Sequence, residues 1–176
     1  MQPVRVCIAL ALSAAATLLW NAAFAFPDGA PWGAADPAAE QSCASCHFGT
    51  DPVRNSPALL IRGLPRVPKP GSSYDLDVVF ADPDTVVAGF QMLARSAERS
   101  AGTFAATMSD VEVVETAVRS IIPISSNKGV SWSVKWRAPD VVADSIVFYV
   151  AALSANDDGS PFGDTVHFRT YRLVVE

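Results

Sequence analysis

Cys43, Cys46 and His47 stand together in the run Cys43-Ala44-Ser45-Cys46-His47. Two thiols three residues apart share one face of a helical turn, and an imidazole follows directly. Cys-x-x-Cys-His is the attachment motif of c-type haem. The thiols reach two vinyl groups of one porphyrin, and the histidine brings a ring nitrogen to the iron. Such thioether links retain a haem even where the protein offers few other contacts. The expectation is one covalent haem c, held by Cys43 and Cys46, with His47 as proximal iron ligand. Three other readings of the same residues stay open. The cysteines can close a disulfide with His47 a bystander. They can join a zinc site, for which the chain supplies two histidines in all. They can form a thiol–disulfide exchange centre, although that chemistry calls for the cysteines at the start of a helix in a βαβ unit.

A haem iron held by His47 has a second axial position. Among the residues that follow a predicted leader, the strong ligands are His167, Met92 and Met108. His167 is the first choice, with a hydrogen-bonded strand histidine as its plainer reading; the choice matters because bis-histidine ligation lowers the potential relative to histidine–methionine. Met92 shares strand parity with Phe90, and Met108 with Phe104 and Ala106, so both also read as core or loop methionines. A five-coordinate iron, or a ligand supplied by a neighbouring subunit, is the alternative.

The chain begins like an exported protein. Arg5 precedes an apolar run from Val6 to Trp20, and Ala23-Phe24-Ala25 fits a small-x-small cleavage site. The run is shorter than the roughly 20 residues that a membrane span needs. Residues 1–25 therefore read as a signal peptide, with Phe26 first in the mature chain. Cleavage leaves 151 of the 176 residues, no membrane span, and Cys43 and Cys46 as the remaining cysteines. The predicted location is periplasmic or extracellular, which suits haem attachment outside the cytoplasm. The full chain carries 13 Lys and Arg against 18 Asp and Glu, a net charge of −5. Loss of Arg5 makes it −6, a balance that argues against a nucleic-acid partner.

The mature chain divides into a lead segment, 26–73, and a body, 74–176. Eight prolines between Pro27 and Pro70 exclude one long helix or a set of central strands in the lead. One short helix is predicted from Pro37 to about Phe48, with Asp36 as N-cap, Glu40 near the positive end of its dipole and Gly49 as the stop. From Tyr74 onward the period becomes two. Tyr74, Leu76, Val78 and Phe80 form one apolar face; Trp132, Val134 and Trp136 form another; Ile146, Phe148, Val150 and Ala152 form a third. Thr165 to Val175 is strand-like, and Val111 to Ser120 reads as strand or short helix. Turn signals such as Asp82-Pro83-Asp84, Asn127-Lys128-Gly129 and Asn156-Asp157-Asp158-Gly159 separate the runs. The fold class is all-β, an antiparallel sandwich.

Five blocks in the body carry a resemblance: Ala88-Gly89-Phe90-Gln91, Ala101-Gly102-Thr103-Phe104, Trp132 to Pro139, Phe148 to Ala152, and Asn156 to Ser160 with Gly163-Asp164. In order and spacing they resemble the Reeler-type domain over about Gly71 to Val175. The resemblance implies an immunoglobulin-like β-sandwich and a secreted life. It also implies a Gly/Pro-rich lead with Cys-x-x-Cys-His before the sandwich, as in bacterial relatives. It brings no enzymatic activity.

Other chemistry is weaker. Asp157, Asp158 and Asp164 are acids that a calcium ion could use, but their spacing is not that of an EF-hand and reads as a solvated turn. No catalytic Ser-His-Asp set, paired-carboxylate site or phosphate loop can be argued, so no enzyme is predicted. Two function classes follow. One is a secreted single-haem electron-transfer or redox-sensing protein, whose acidity calls for a redox partner with a basic docking patch and allows a homo-oligomer. The other is a non-redox extracellular interaction or matrix module with a Cys43–Cys46 disulfide.

Overall fold

The computed structural model describes residues 30–114, 117–120, 124–125, 129–141 and 145–174. The signal-peptide reading of residues 1–25, the start at Phe26 and the turn residues Asn127 and Lys128 lie outside them. One helical turn, α1 (Cys43–Cys46), is followed by thirteen strands among the described residues. In the lead these are β1 (Phe48–Gly49), β2 (Val53–Arg54) and β3 (Leu59–Arg62). The body supplies β4 (Ser73–Phe80), β5 (Val87–Ser96), β6 (Arg99–Ser100), β7 (Thr103–Ala106), β8 (Val111–Val114) and β9 (Ala117–Ser120). It closes with β10 (Ile124–Ser125), β11 (Val130–Arg137), β12 (Ser145–Ala155) and β13 (Phe162–Val174).

The strands form two sheets. Four pair in the order β3-β4-β11-β7. Nine make the larger sheet, with main order β1-β13-β12-β5-β9-β8; β2 also pairs with β13, and β6 and β10 with β5. Apart from β1 and β2, which run parallel to β13, the pairings are antiparallel. Of the two readings of Val111 to Ser120, the described residues form strands: β8 and β9 pair antiparallel, with Val113 opposite Val118.

The period-two faces build the space between the sheets. On β11, Trp132, Val134 and Trp136 point inward while Ser131, Lys135 and Arg137 face solvent. Trp132 tilts against Phe90 at 4.7 Å between ring centroids, and Trp136 meets Phe148 edge to face at 4.9 Å. Aromatic pairs of this kind contribute about 0.5–1.5 kcal/mol beyond the area they bury. Tyr171 of β13 accepts the Ile61 N–H of β3 at 3.0 Å, which ties the two sheets at one edge.

The larger sheet is apolar on its outer face too. Leu93, Ala117, Ala151, Val166 and Phe168 point away from the main core and form a second cluster with Ala35, Cys43 and Ala44. This outer cluster is what fixes the lead. A twelve-residue helix was expected over Pro37–Phe48; the structure forms α1 alone, because long-range contacts claim the backbone first. Ala35 N–H donates to Gln91 Oε1 (3.1 Å), Gln91 Nε2 donates to Pro31 O (2.9 Å), and Cys43 N–H donates to Ala34 O (3.0 Å). Asp36 caps a tight turn instead of a long helix, accepting the Ala38 N–H at 2.9 Å. The prolines keep to the expected rule: the lead's strands lie at sheet edges.

Gly102 sets a sharp corner before β7. Its φ is +81°, and a Cβ there would come within 2.2 Å of the Arg137 carbonyl oxygen and 2.6 Å of the Trp136 ring nitrogen. Gly102→Ala is therefore expected to cost about 1–3 kcal/mol in backbone strain, with steric overlap added. The check is a lower urea midpoint at an unchanged m-value; an unaltered midpoint contradicts it.

Candidate functional site

The motif sits on the outer face of the nine-stranded sheet. Cys43 and Cys46 are the ends of α1, and His47 follows as its C-cap, its N–H donating to Cys43 O at 3.1 Å. The chain then docks onto the start of β13. Phe48 N–H donates to Pro161 O (3.1 Å), and the Phe48 ring meets Phe162 edge to face at 4.4 Å. Gly49 has φ +105°, and a Cβ on it would lie 3.0 Å from the Gly163 backbone nitrogen. The close parallel approach of the two backbones there excludes a larger residue. Thr50 Oγ1 donates to the Asp164 carbonyl and fastens the far side of the approach.

This docking brings His47 to Asp164. His47 Nδ1 lies 2.7 Å from Asp164 Oδ2, and Asp164 is only 3% exposed. A carboxylate can only accept, so the ring proton of a neutral imidazole sits on Nδ1 and leaves a lone pair on Nε2. Asp164 Oδ1 also takes the Asn156 N–H at 3.4 Å. Asp158 is occupied by its own turn, accepting Asn156 Nδ2 and Ser160 N–H, while Asp157 sits at φ +61°. Asp158 thus serves the turn and Asp164 the turn and the histidine. Among the described residues, no group of three or more His, Cys, Asp or Glu is gathered to hold a metal ion.

Beside the motif lies a cavity of about 610 Å³, within the range of about 300–1,000 Å³ common for cofactor sites. Cys43, Cys46 and His47 form one wall; Gly89, Phe90 and Leu153 are among the sheet residues on the other. Cys43 and Cys46 carry free thiols. Burial pushes the Cys43 thiol up to about 12, its own backbone hydrogen bond opposing and Cys46 adding to the rise. A thiol kept protonated in this way is a poor nucleophile, which weakens the thiol–disulfide exchange reading.

None of the three expected distal ligands reaches this cavity. Met92 is fully buried between the sheets. Met108 lies after β7 on the smaller sheet, its sulfur accepting the Ser133 N–H. His167 also points between the sheets, edge to face with Phe80 at 4.9 Å. Strand alternation decides this: Val166 and Phe168 take the outer face, so His167 must take the inner one.

His167 instead centres a buried polar group. Ser56 Oγ lies 2.8 Å from its Nδ1 and also accepts the Ala58 N–H at 3.2 Å. Asp82 Oδ2 lies 2.8 Å from Nε2, without hydrogen-bond alignment. Serine, histidine and aspartate thus do meet here, although no such set was legible in the sequence. Ser56 is fully buried, so a substrate has no path to its hydroxyl.

The class of fold is now defined: an all-β, two-sheet sandwich of the reeler type. Solved structures it is similar to include the reelin-N domain of F-spondin and the human F-spondin reeler domain. The first is 22% identical over 73% of this chain and 92% of that one, with a TM-score of 0.56. The second is 18% identical over 76% of this chain and 100% of that one, with a TM-score of 0.55. No family model matches the sequence, and no curated protein matches it.

Burial lowers the His167 pKa from its ordinary 6.5, with Asp82 partly opposing. Below pH 6.5 the unfolded chain therefore takes up a proton that the folded chain resists, so stability falls as the pH drops. The slope cannot exceed about 1.4 kcal/mol per pH unit from one group. Urea unfolding across this range should show the loss, and His167→Gln should flatten it; equal slopes in the two proteins contradict the assignment.

Proposed function

We propose that this chain is an exported single-haem protein for electron transfer or redox sensing, with haem c bonded to Cys43 and Cys46 and His47 as proximal ligand. The observation that carries the reading is the shared cavity. Two free thiols and an imidazole with an available Nε2 line one side of a largely apolar space of about 610 Å³. The donor set suits iron porphyrin, and the residues around it fit the group. When bound, haem supplies a one-electron couple whose potential follows from axial ligation and burial. The chain's own residues do the rest: Asp164 orients His47, and Ala151 and Leu153 present an apolar wall. Export is supported by the leader-like residues 1–25 and by the secreted life that the Reeler resemblance implies. Among the described residues no helix is long and apolar enough to cross a membrane.

The likeness to F-spondin reeler domains favours a second reading by itself, a non-redox interaction or matrix module in which Cys43 and Cys46 close a disulfide. One preparation separates the two. Full-length protein made in a host with a c-type haem maturation system is expected to be coloured, to show haem absorption bands, and to carry the haem mass covalently. Cys43→Ala with Cys46→Ala should abolish the covalent adduct. Colourless protein, two hydrogens lighter than the dithiol, sinks the haem reading and leaves the module.

The acidic chain also points to a redox partner that presents basic side chains. Electron exchange with such a partner should slow steeply as salt rises, and exchange indifferent to salt counts against this docking.

A further inference from the structure

We infer that Asp164 is a positioning residue that sets the reduction potential of the iron through His47. The inference rests on the haem reading above. Three observations support it. Asp164 Oδ2 is 2.7 Å from His47 Nδ1, the ring nitrogen not needed for ligation. The carboxylate is 3% exposed, so water screens the contact little. Its backbone is fixed from both sides: the Thr50 hydroxyl donates to its carbonyl, and the strand that carries it pairs with β1 directly after His47.

The chemistry follows from charge. A buried carboxylate that accepts the Nδ1 proton pulls it from the ring and makes Nε2 a stronger donor. A stronger donor favours ferric over ferrous iron, because the ferric ion carries the higher charge. The potential is therefore held low. Asp157, also on the cavity wall, touches neither ring nitrogen of His47. Its charge acts on the iron through space only, which makes it the control for Asp164.

The test compares haem-loaded wild type, Asp164→Asn and Asp157→Asn by redox titration. Both variants remove one negative charge, and asparagine tolerates the positive φ at 157. Asp164→Asn should favour ferrous iron by about tenfold more than wild type, an upward shift of about 59 mV for one electron. Asp157→Asn should move the potential much less. Equal shifts in the two variants overturn the inference while leaving the haem function standing. A wild type that binds no haem overturns both. Nitrogen NMR of the His47 ring in haem-free, full-length protein at mildly alkaline pH needs no variant, so it serves even if Asp164→Asn fails to fold. Protonation on Nδ1 supports the inference, and protonation on Nε2 overturns it.

Discussion

The larger sheet has two apolar faces, and the second must be covered. Its inner face is satisfied by the four-stranded sheet, but Leu93, Ala117, Ala151, Val166 and Phe168 would otherwise meet water on the other side. Fully burying a side chain of Val, Leu or Phe size is worth about 1.5–3 kcal/mol. A segment too rich in proline to form its own domain can therefore be held on the sheet by its small residues, Ala35 and Ala44 among them. Gln91 makes the seat specific: it is 1% exposed, and its amide both accepts from and donates to the lead backbone. Arg119 adds a hydrogen bond to Ala30 O and lies 4.6 Å from the centre of the Trp32 ring.

From that constraint the site follows. Once the lead lies across the sheet, α1 ends where β13 begins, and the parallel pairing of β1 with β13 sets His47 against Asp164. The cavity is the space the lead does not fill between α1 and the sheet. The motif is thus held by elements 117 residues apart in the chain, and its geometry depends on the sandwich being complete.

The body of the fold was legible because half-buried strands write their period into the sequence. Trp132, Val134 and Trp136 alternate with polar residues, and β11 does what that pattern says. What was missed lies where the period fails. Ser145–Ala155 reads Ser-Ile-Val-Phe-Tyr-Val-Ala-Ala-Leu-Ser-Ala, with few polar breaks, and β12 is buried on both faces. That run was the available sign that something covers the outside of the sheet. The parity of His167 was readable, but which face it served was not, because both faces are apolar. The pairing of His47 with Asp164 left no local trace, since it comes from a parallel contact between distant segments. The length of α1 was overestimated for a similar reason: cap signals at Asp36 and Pro37 describe local preference, and Gln91 and Ala34 outbid them.

The same docking has a bearing on solubility. A terminal strand with free N–H and C=O groups invites other chains to add to it. On β13 that border is closed by β1 at Phe162 and Asp164 and by β2 at His167 and Phe168, and Ser56 N–H takes the Phe168 carbonyl. Were the lead to peel away, a ready template for intermolecular β-pairing would be bared beside a newly wetted apolar surface. The segment that bears the two cysteines therefore also serves as the molecule's guard against aggregation.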